Sequence, residues 1–158
     1  MNDGEEKPDG FSFAGITAGL KDSNKKDLAL ILAPENSICS GLFTQSIVRA
    51  SCVDICEQRI KKSSGLIRAI LINSGQANAC TGDYGIQHTL FATKEVSQLL
   101  GINEEEVLMC STGVIGIPIQ IKNLIDNLPN LVKELKTNSL QNAAEAILTT
   151  DLVDKKIT

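Results

Sequence analysis

At 158 residues, 42% hydrophobic and 22% charged, the chain has the size and make-up of one globular domain with a real core. A net charge of −4, no Trp, one Tyr and four Phe exclude a field or stacking platform for nucleic acid, and an attraction to anionic membranes. No apolar run reaches the roughly 20 residues of a membrane span, and the polar, acidic start is not a signal peptide, so the expected location is cytoplasmic.

Residues 1–10 are expected to be a flexible N-terminus, with 11–158 forming one α/β domain. Phe11 to Leu20 alternates small and apolar residues, as in a strand packed closely through Gly15 and Gly19. After a turn at Lys21–Lys26, Leu28-Ala-Leu-Ile-Leu32 is a continuous apolar run, the pattern of a strand covered on both faces. Ile38–Phe43 reads as a further strand and residues 50–60 as a short helix. Leu66–Ile72 is the clearest strand. It runs into a loop, Asn73-Ser-Gly-Gln-Ala-Asn-Ala-Cys-Thr-Gly82, rich in amides and hydroxyls. Those side chains serve either chemistry or the loop's own backbone.

Asp83 is expected to cap a helix that stops at Gly101, with a buried stripe of Ile86, Leu90, Thr93, Val96 and Leu100. Asn103 resembles a cap on a short acidic turn. Val107–Cys110 is a short strand, and Ser111-Thr-Gly113 a tight polar turn leading toward a helix at Ile119. Such a turn leaves backbone N–H groups unpaired, and these can hold a developing negative charge. It also fits a glycine-bearing connection with no chemistry. An amphipathic pattern then runs from Ile121 to Leu135 with a kink expected at Pro129. Ser139 is expected to cap a last helix bearing Leu140, Ala143, Ala144, Ile147 and Leu148. The order is strand-rich first and helix-rich later.

The five cysteines are odd in number and contain no Cys-x-x-Cys, and one histidine is too few for an ordinary zinc set; buried free thiols are expected. His88 falls off its helix's apolar stripe, which predicts a solvated surface position and leaves Ser or Cys without a base. The chain therefore offers an oxyanion-hole candidate, Thr112 with Gly113, and a hydroxyl cluster, Thr149 with Thr150, but no nucleophile–base pair.

Four stretches resemble the ornithine acetyltransferase / glutamate N-acetyltransferase family: Lys26–Ile31, Asn73–Gly82, Ser111–Gly116 and Ala146–Asp151. Their order and spacing resemble the family's N-terminal α segment. The resemblance implies the N-terminal part of the self-cleaving aminopeptidase/ornithine-acetyltransferase-like α/β fold, incomplete without a downstream β-chain segment. It implies a precursor cut at an Ala–Thr bond, an N-terminal Thr nucleophile in the β chain, and an α2β2 assembly. N-acetylornithine and glutamate are the implied substrates, with acetyl-CoA a co-substrate in bifunctional members and no bound cofactor. Thr112 and Gly113 match the oxyanion pair, Thr149 a substrate-binding position, and Thr150 is its weaker neighbour.

The family's Lys-Gly-x-Gly-Met and Ala-Thr-Met-Leu segments do not occur in this chain, and Ala92-Thr93 lies mid-helix in the wrong context for cleavage. Asp154, Gln76 and Ile119-Gln120 depart from common family residues, and Lys155 matches a different lysine from the one in the missing segment. A non-catalytic remnant or binding module that keeps the fold, or a related self-processing aminopeptidase, are the other readings. Alone, the 158-residue chain is expected to be inactive.

Overall fold

The computed structural model describes residues 8–150; Asp154 and Lys155, and most of the N-terminal segment, lie outside them. Strands β1 (Ser12–Ile16) and β2 (Leu28–Leu32) come first, then helix α1 (Ser51–Lys62) and strand β3 (Ala69–Gln76). Helix α2 (Gly82–Leu100), a 3-10 turn (Glu104–Glu106) and strand β4 (Val107–Val114) follow, ahead of helices α3 (Ile121–Lys133) and α4 (Leu140–Ala146). The four strands form one sheet in the order β1-β2-β3-β4, with β1–β2 and β2–β3 antiparallel and β3–β4 parallel. The parallel step is made through α2, as a crossover connection must be.

Side chains alternate between the sheet's faces, so each register row belongs to one layer. Ala14, Leu30, Leu71 and Met109 make one row, buried under Ala92 and Val96 of α2 and Leu124, Leu128 and Leu131 of α3. Phe13, Ile31, Ile70 and Leu108 make the row on the opposite face. Ala143 and Ala146 of α4 pack near its β1 end, and Cys56 and Ile60 of α1 near its β4 end. The helices thus cover both faces, which is why β2 reads as an unbroken apolar run. Each fully buried leucine of the first layer contributes about 1.5–3 kcal/mol by leaving water.

The close approach expected at Gly15 is present: a Cβ there would lie 2.0 Å from the Asn142 carbonyl oxygen of α4. Gly19 has no such role, because β1 ends at Ile16 and Gly19 turns the chain at φ +74°. Ile38–Phe43 is not a strand. Only Ile38 makes a bridge, to Leu66, and Leu42 is fully exposed. Cys39 and Phe43 of that stretch pack instead against the Cys56, Ile67 and Leu108 cluster, with the Phe43 ring lying over Gly41.

Helix α2 buries Gly85, Thr89, Ala92, Thr93, Val96 and Ser97, while Ile86 and Leu90 are exposed. The threonines enter the core because their hydroxyls donate to Gly85 O and Thr89 O, at 2.8 and 2.9 Å, one turn back. Asp83 lies inside the first turn and not at the cap, Thr81 precedes the helix, and Gly101 ends it at φ +66° as expected. Asn103 caps the acidic turn by accepting from the Glu105 N–H. Helix α3 continues through Pro129. Helix α4 stops at Ala146, leaving Ile147 and Leu148 beyond it, and Ser139 precedes it without a side-chain cap bond.

Candidate functional site

The polar motifs read as a loop and a turn are strand. Asn73, Ser74, Gly75 and Gln76 close β3, and they pair in parallel register with Ser111, Thr112, Gly113 and Val114 of β4. Each segment looks like a loop by composition because its pairing partner lies far away in sequence. Together they extend the sheet's central pair, and the turn comes only after Val114.

The side chains of the Asn73 motif hold this region together. The Asn73 amide donates to Gln76 O at 3.0 Å, and its oxygen accepts from the Ser111 hydroxyl at 2.6 Å. The Ser74 hydroxyl donates to Ala146 O at the end of α4, and the Gln76 amide donates to Leu20 O at 2.7 Å. Asn78, at φ +52°, donates to Gly85 O and Thr89 Oγ1 of α2. Of the two uses open to these amides, satisfying and joining backbone is the one their bonds describe.

Strand β4 is the sheet edge, and an edge exposes main-chain groups to whatever lies beside it. Bonds from Arg68 N to Glu106 O and from Ala77 N to Val114 O aim its even-numbered residues at β3. The odd-numbered ones face outward, where α1 meets them. Arg59 Nη1 donates to Val107 O at 2.6 Å, the Cys56 thiol donates to Met109 O at 3.2 Å, and Cys52 hydrogen-bonds with Ser111. Positions 52, 56 and 59 share one helical face and satisfy the edge like a substitute strand. Burial raises the Cys52 and Cys56 thiols above their usual range, so both remain neutral donors. Arg59 is pulled down by burial and held up by the Glu104 carboxylate 2.9 Å away. Because α1 begins at Ser51, its cover ends at Ser111, and the next outward residue is Gly113.

At this uncovered end lies an open cleft of ≈ 450 Å³, lined by Lys21, Gly75, Thr112, Gly113, Val114, Thr149 and Thr150. Thr112, Gly113, Thr149 and Thr150 therefore meet in one place, from sequence positions far apart. Lys21 and Gly75 are additions that sequence reasoning missed: Lys21 read as part of a turn, and Gly75 as one loop glycine among several. Burial lowers the Lys21 ammonium from its usual range, with the Asp27 carboxylate opposing and Lys25 adding to the fall. Asp27 is fully buried and accepts from the N–H groups of Ala18, Leu20 and Lys21 at 2.6, 2.6 and 3.1 Å. That fold of the 18–27 segment is what carries Lys21 to the cleft.

His88 is not among the lining residues. It is half-buried and not simply solvated: its Nδ1 is buried without a partner among the described residues, and burial lowers its pKa. Cys52 and Cys56 are buried as expected, Cys39 is half-buried, and Cys80 and Cys110 are exposed; all five thiols are free. No group of three His, Cys, Asp or Glu among the described residues is placed to hold a metal. The lining offers hydroxyls, one ammonium and glycine backbone, which suits binding and stabilising an anion.

A sheet helix-covered on both faces, with a hydroxyl- and glycine-lined cleft at the ends of its parallel pair, defines an α/β chain with a candidate site for an anion. The chain belongs to the ArgJ family, which it matches over residues 12–158. It is 99% identical over 158 residues to the arginine biosynthesis bifunctional protein ArgJ of Prochlorococcus marinus subsp. pastoris, covering 100% of this chain and 39% of that protein. Against the protein of the same name from Parasynechococcus marenigrum it is 51% identical over 157 residues, 99% of this chain and 38% of that one. The chain thus spans about two fifths of these curated relatives.

Among solved structures it superposes on ornithine acetyltransferase complexed with ornithine from Mycobacterium tuberculosis with a TM-score of 0.88. Identity is 36%, over 92% of this chain and 79% of that one. The arginine biosynthesis bifunctional protein ArgJ of Bacillus halodurans gives 0.85 at 31% identity, over 92% of this chain and 75% of that one. The expected fold, the N-terminal part of the ornithine-acetyltransferase-like α/β architecture, is the fold found.

Proposed function

We propose that this chain supplies the oxyanion-stabilising part of an acetyltransferase that moves an acetyl group from N-acetylornithine to glutamate in arginine biosynthesis. In this reading a downstream segment of the same precursor, cleaved to expose an N-terminal Thr, supplies the nucleophile and completes an α2β2 enzyme of the cytoplasm. The Thr hydroxyl attacks the acetyl carbonyl carbon while its α-amino group takes the proton. The carbonyl oxygen becomes an oxyanion, accepting from the Thr112 hydroxyl and the Gly113 N–H. Collapse breaks the C–N bond and the ornithine amine leaves with a proton. The glutamate amine then attacks the acetyl ester, the ester C–O bond breaks, N-acetylglutamate leaves and the amine's proton returns to the Thr oxygen. Thr149, with Thr150 beside it, binds the amino-acid substrate across the cleft. Acetyl-CoA is a second acyl donor, in keeping with the word bifunctional in the relatives' names.

The observation that carries this reading is the meeting of Thr112, Gly113, Thr149 and Thr150 in one cleft, at the point where α1 no longer covers the edge of β4. The test is transfer of labelled acetyl from N-acetylornithine to glutamate by the full-length protein. Thr112→Ala is expected to lower kcat by about 10²–10³-fold, the usual cost of one oxyanion donor. The 158-residue chain alone is expected to show no turnover. Robust transfer by that chain, or full activity in Thr112→Ala, contradicts the reading.

A further inference from the structure

The reaction cleft is not closed at its Lys21 end. A second cavity of ≈ 410 Å³, lined by Lys21, Ser23, Lys25, Lys26, Glu145, Leu148 and Thr149, shares Lys21 and Thr149 with it. The two cavities therefore adjoin at Lys21 and Thr149. One has the hydroxyl and glycine backbone of Thr112 and Gly113, and the other has three ammonium groups against a single carboxylate. That carboxylate, Glu145, is engaged by Lys26 Nζ at 2.7 Å, so the excess of positive charge sits on Lys21 and Lys25. Asp27 of the same segment offsets part of the charge at Lys21, but its oxygens are turned inward onto backbone N–H groups and do not line the cavity.

The ammonium groups are held in place but not saturated. Lys21 Nζ donates to Lys26 O and Leu148 O, and Lys26 Nζ to Asn142 Oδ1 and Glu145 Oε2. An ammonium has three protons, so each keeps one for a ligand. Carbonyl oxygens fix Lys21 without neutralising it. Lys25 is exposed at the loop and joins no ion pair among the described residues, though its charge is felt at Lys21.

We infer that Lys21, Lys25 and Lys26 form an anion subsite that takes the phosphate groups of a phosphorylated acyl thioester, whose acyl end reaches Thr112 and Gly113. The inference rests on the acetyl-transfer reading and adds the place where the larger donor is held. Several separate lysines suit a spread of phosphate oxygens, each as a point charge, whereas one carboxylate needs a single cation or a guanidinium fork. Size agrees: the first cavity, at ≈ 450 Å³, is ample for an amino acid, and a ligand that spans both must be nucleotide-sized.

The test uses the full-length protein and needs no turnover. Calorimetric titration with coenzyme A, and separately with inorganic pyrophosphate, is run on wild type, Lys25→Ala, Lys25→Glu and Lys25→Arg at low and high salt. Coenzyme A is expected to bind wild type in a salt-dependent way, and Lys25→Ala to weaken it roughly tenfold, the loss of one charge-assisted contact. Lys25→Glu is expected to weaken it further, Lys25→Arg to restore most of it, and pyrophosphate to follow the same order. In turnover, the KM for acetyl-CoA rises in Lys25→Ala far more than the KM for N-acetylornithine, with kcat little changed. Equal coenzyme A affinity in wild type and Lys25→Glu overturns the inference. So does an equal rise in KM for N-acetylornithine or glutamate, which makes the subsite a carboxylate pocket. Lysine-dependent coenzyme A binding without acetyl transfer from N-acetylornithine upholds the subsite and overturns the proposed function instead.

Discussion

Gly75 and Gly113 are register partners across the parallel pair of β3 and β4, and they share an unusual backbone, at φ +130° and +131°. A Cβ added to Gly113 would lie 2.3 Å from both the carbonyl carbon and oxygen of Gly75. A Cβ on Gly75 would lie 2.6 Å from Leu20 O. Each glycine is thus required twice, by its conformation and by the backbone pressed against it. The pair seats the β3 end against the 18–27 segment and sets where Gly113 meets the cleft.

Gly113→Ala is accordingly expected to cost about 3 kcal/mol of stability, through strain at positive φ together with a backbone collision that no side-chain rotation relieves. Gly116→Ala is the control: Gly116 also has positive φ, at +80°, but a Cβ there meets nothing within 4 Å. Urea unfolding of both variants separates strain from collision. Equal destabilisation of the two assigns the whole effect to the dihedral angle.

Asp27 is the second position where one residue carries a local structure. Its carboxylate accepts from Ala18, Leu20 and Lys21, and its own carbonyl accepts from Ser74 N at 2.8 Å. Asp27→Ala strands those donors in a buried setting and is expected to cost about 3 kcal/mol. Asp27→Asn, keeping one oxygen, is expected to fall between. Because the same bonds carry Lys21 to the cleft, hydrogen exchange of the 18–27 amides should speed up in Asp27→Asn even where the global fold persists. Unchanged exchange there argues that the loop is held by other contacts.

How far these features are legible in the sequence depends on whether their causes are local. β2 is legible because Leu28, Leu30 and Ala29 face two helix layers and the run is apolar throughout. The end of α2 is legible because Gly101 states its own dihedral angle. The strand character of Asn73–Gln76 and Ser111–Val114 is not, since each polar segment is a strand only because the other lies beside it. Ile38–Phe43 misleads in the opposite sense: apolar residues with no sheet to join remain coil. The buried face of α2 is misjudged because Thr89 and Thr93 hide their hydroxyls on preceding carbonyls, while Ile86 and Leu90 stay exposed. The meeting of Thr112 and Gly113 with Thr149 and Thr150 came from family resemblance, not from pattern. Lys21 had no signal at all, for its anchor, Leu148 O, lies 127 residues away.

The edge cover of β4 gives a further prediction. Arg59 is 7% exposed and serves two acceptors, Val107 O and the Glu104 carboxylate. Arg59→Met keeps much of the packing but leaves the Val107 carbonyl unpaired and Glu104 without its cation. An expected loss of about 2 kcal/mol follows from one stranded buried acceptor and one broken ion pair. Glu104→Gln should cost much less, as Glu104 is partly exposed and water replaces the bond. Comparable losses in both variants place the stabilisation in the ion pair and not in the edge carbonyl.

Cys110 lies in β4 directly before Ser111, and its thiol reports on the same environment. The residue is exposed overall, yet burial at the sulfur, reinforced by the nearby Cys56, Cys52 and Cys39 thiols, pushes its pKa up from 9.0 to about 11. A raised folded-state pKa means that the unfolded chain gives up this proton first as pH rises. The group's contribution to stability is therefore full below pH 9 and lost as pH climbs through about 11. Since the thiolate is the nucleophile, iodoacetamide labelling of Cys110 should rise with pH well past 9 and level off only near 11. Peptide mass spectrometry across that range, with unfolded protein as reference, follows Cys110 separately from the other cysteines. A labelling curve that levels off near pH 9 in the folded protein, matching the unfolded reference, would mean that water reaches the sulfur and that the edge of β4 is open where α1 covers it.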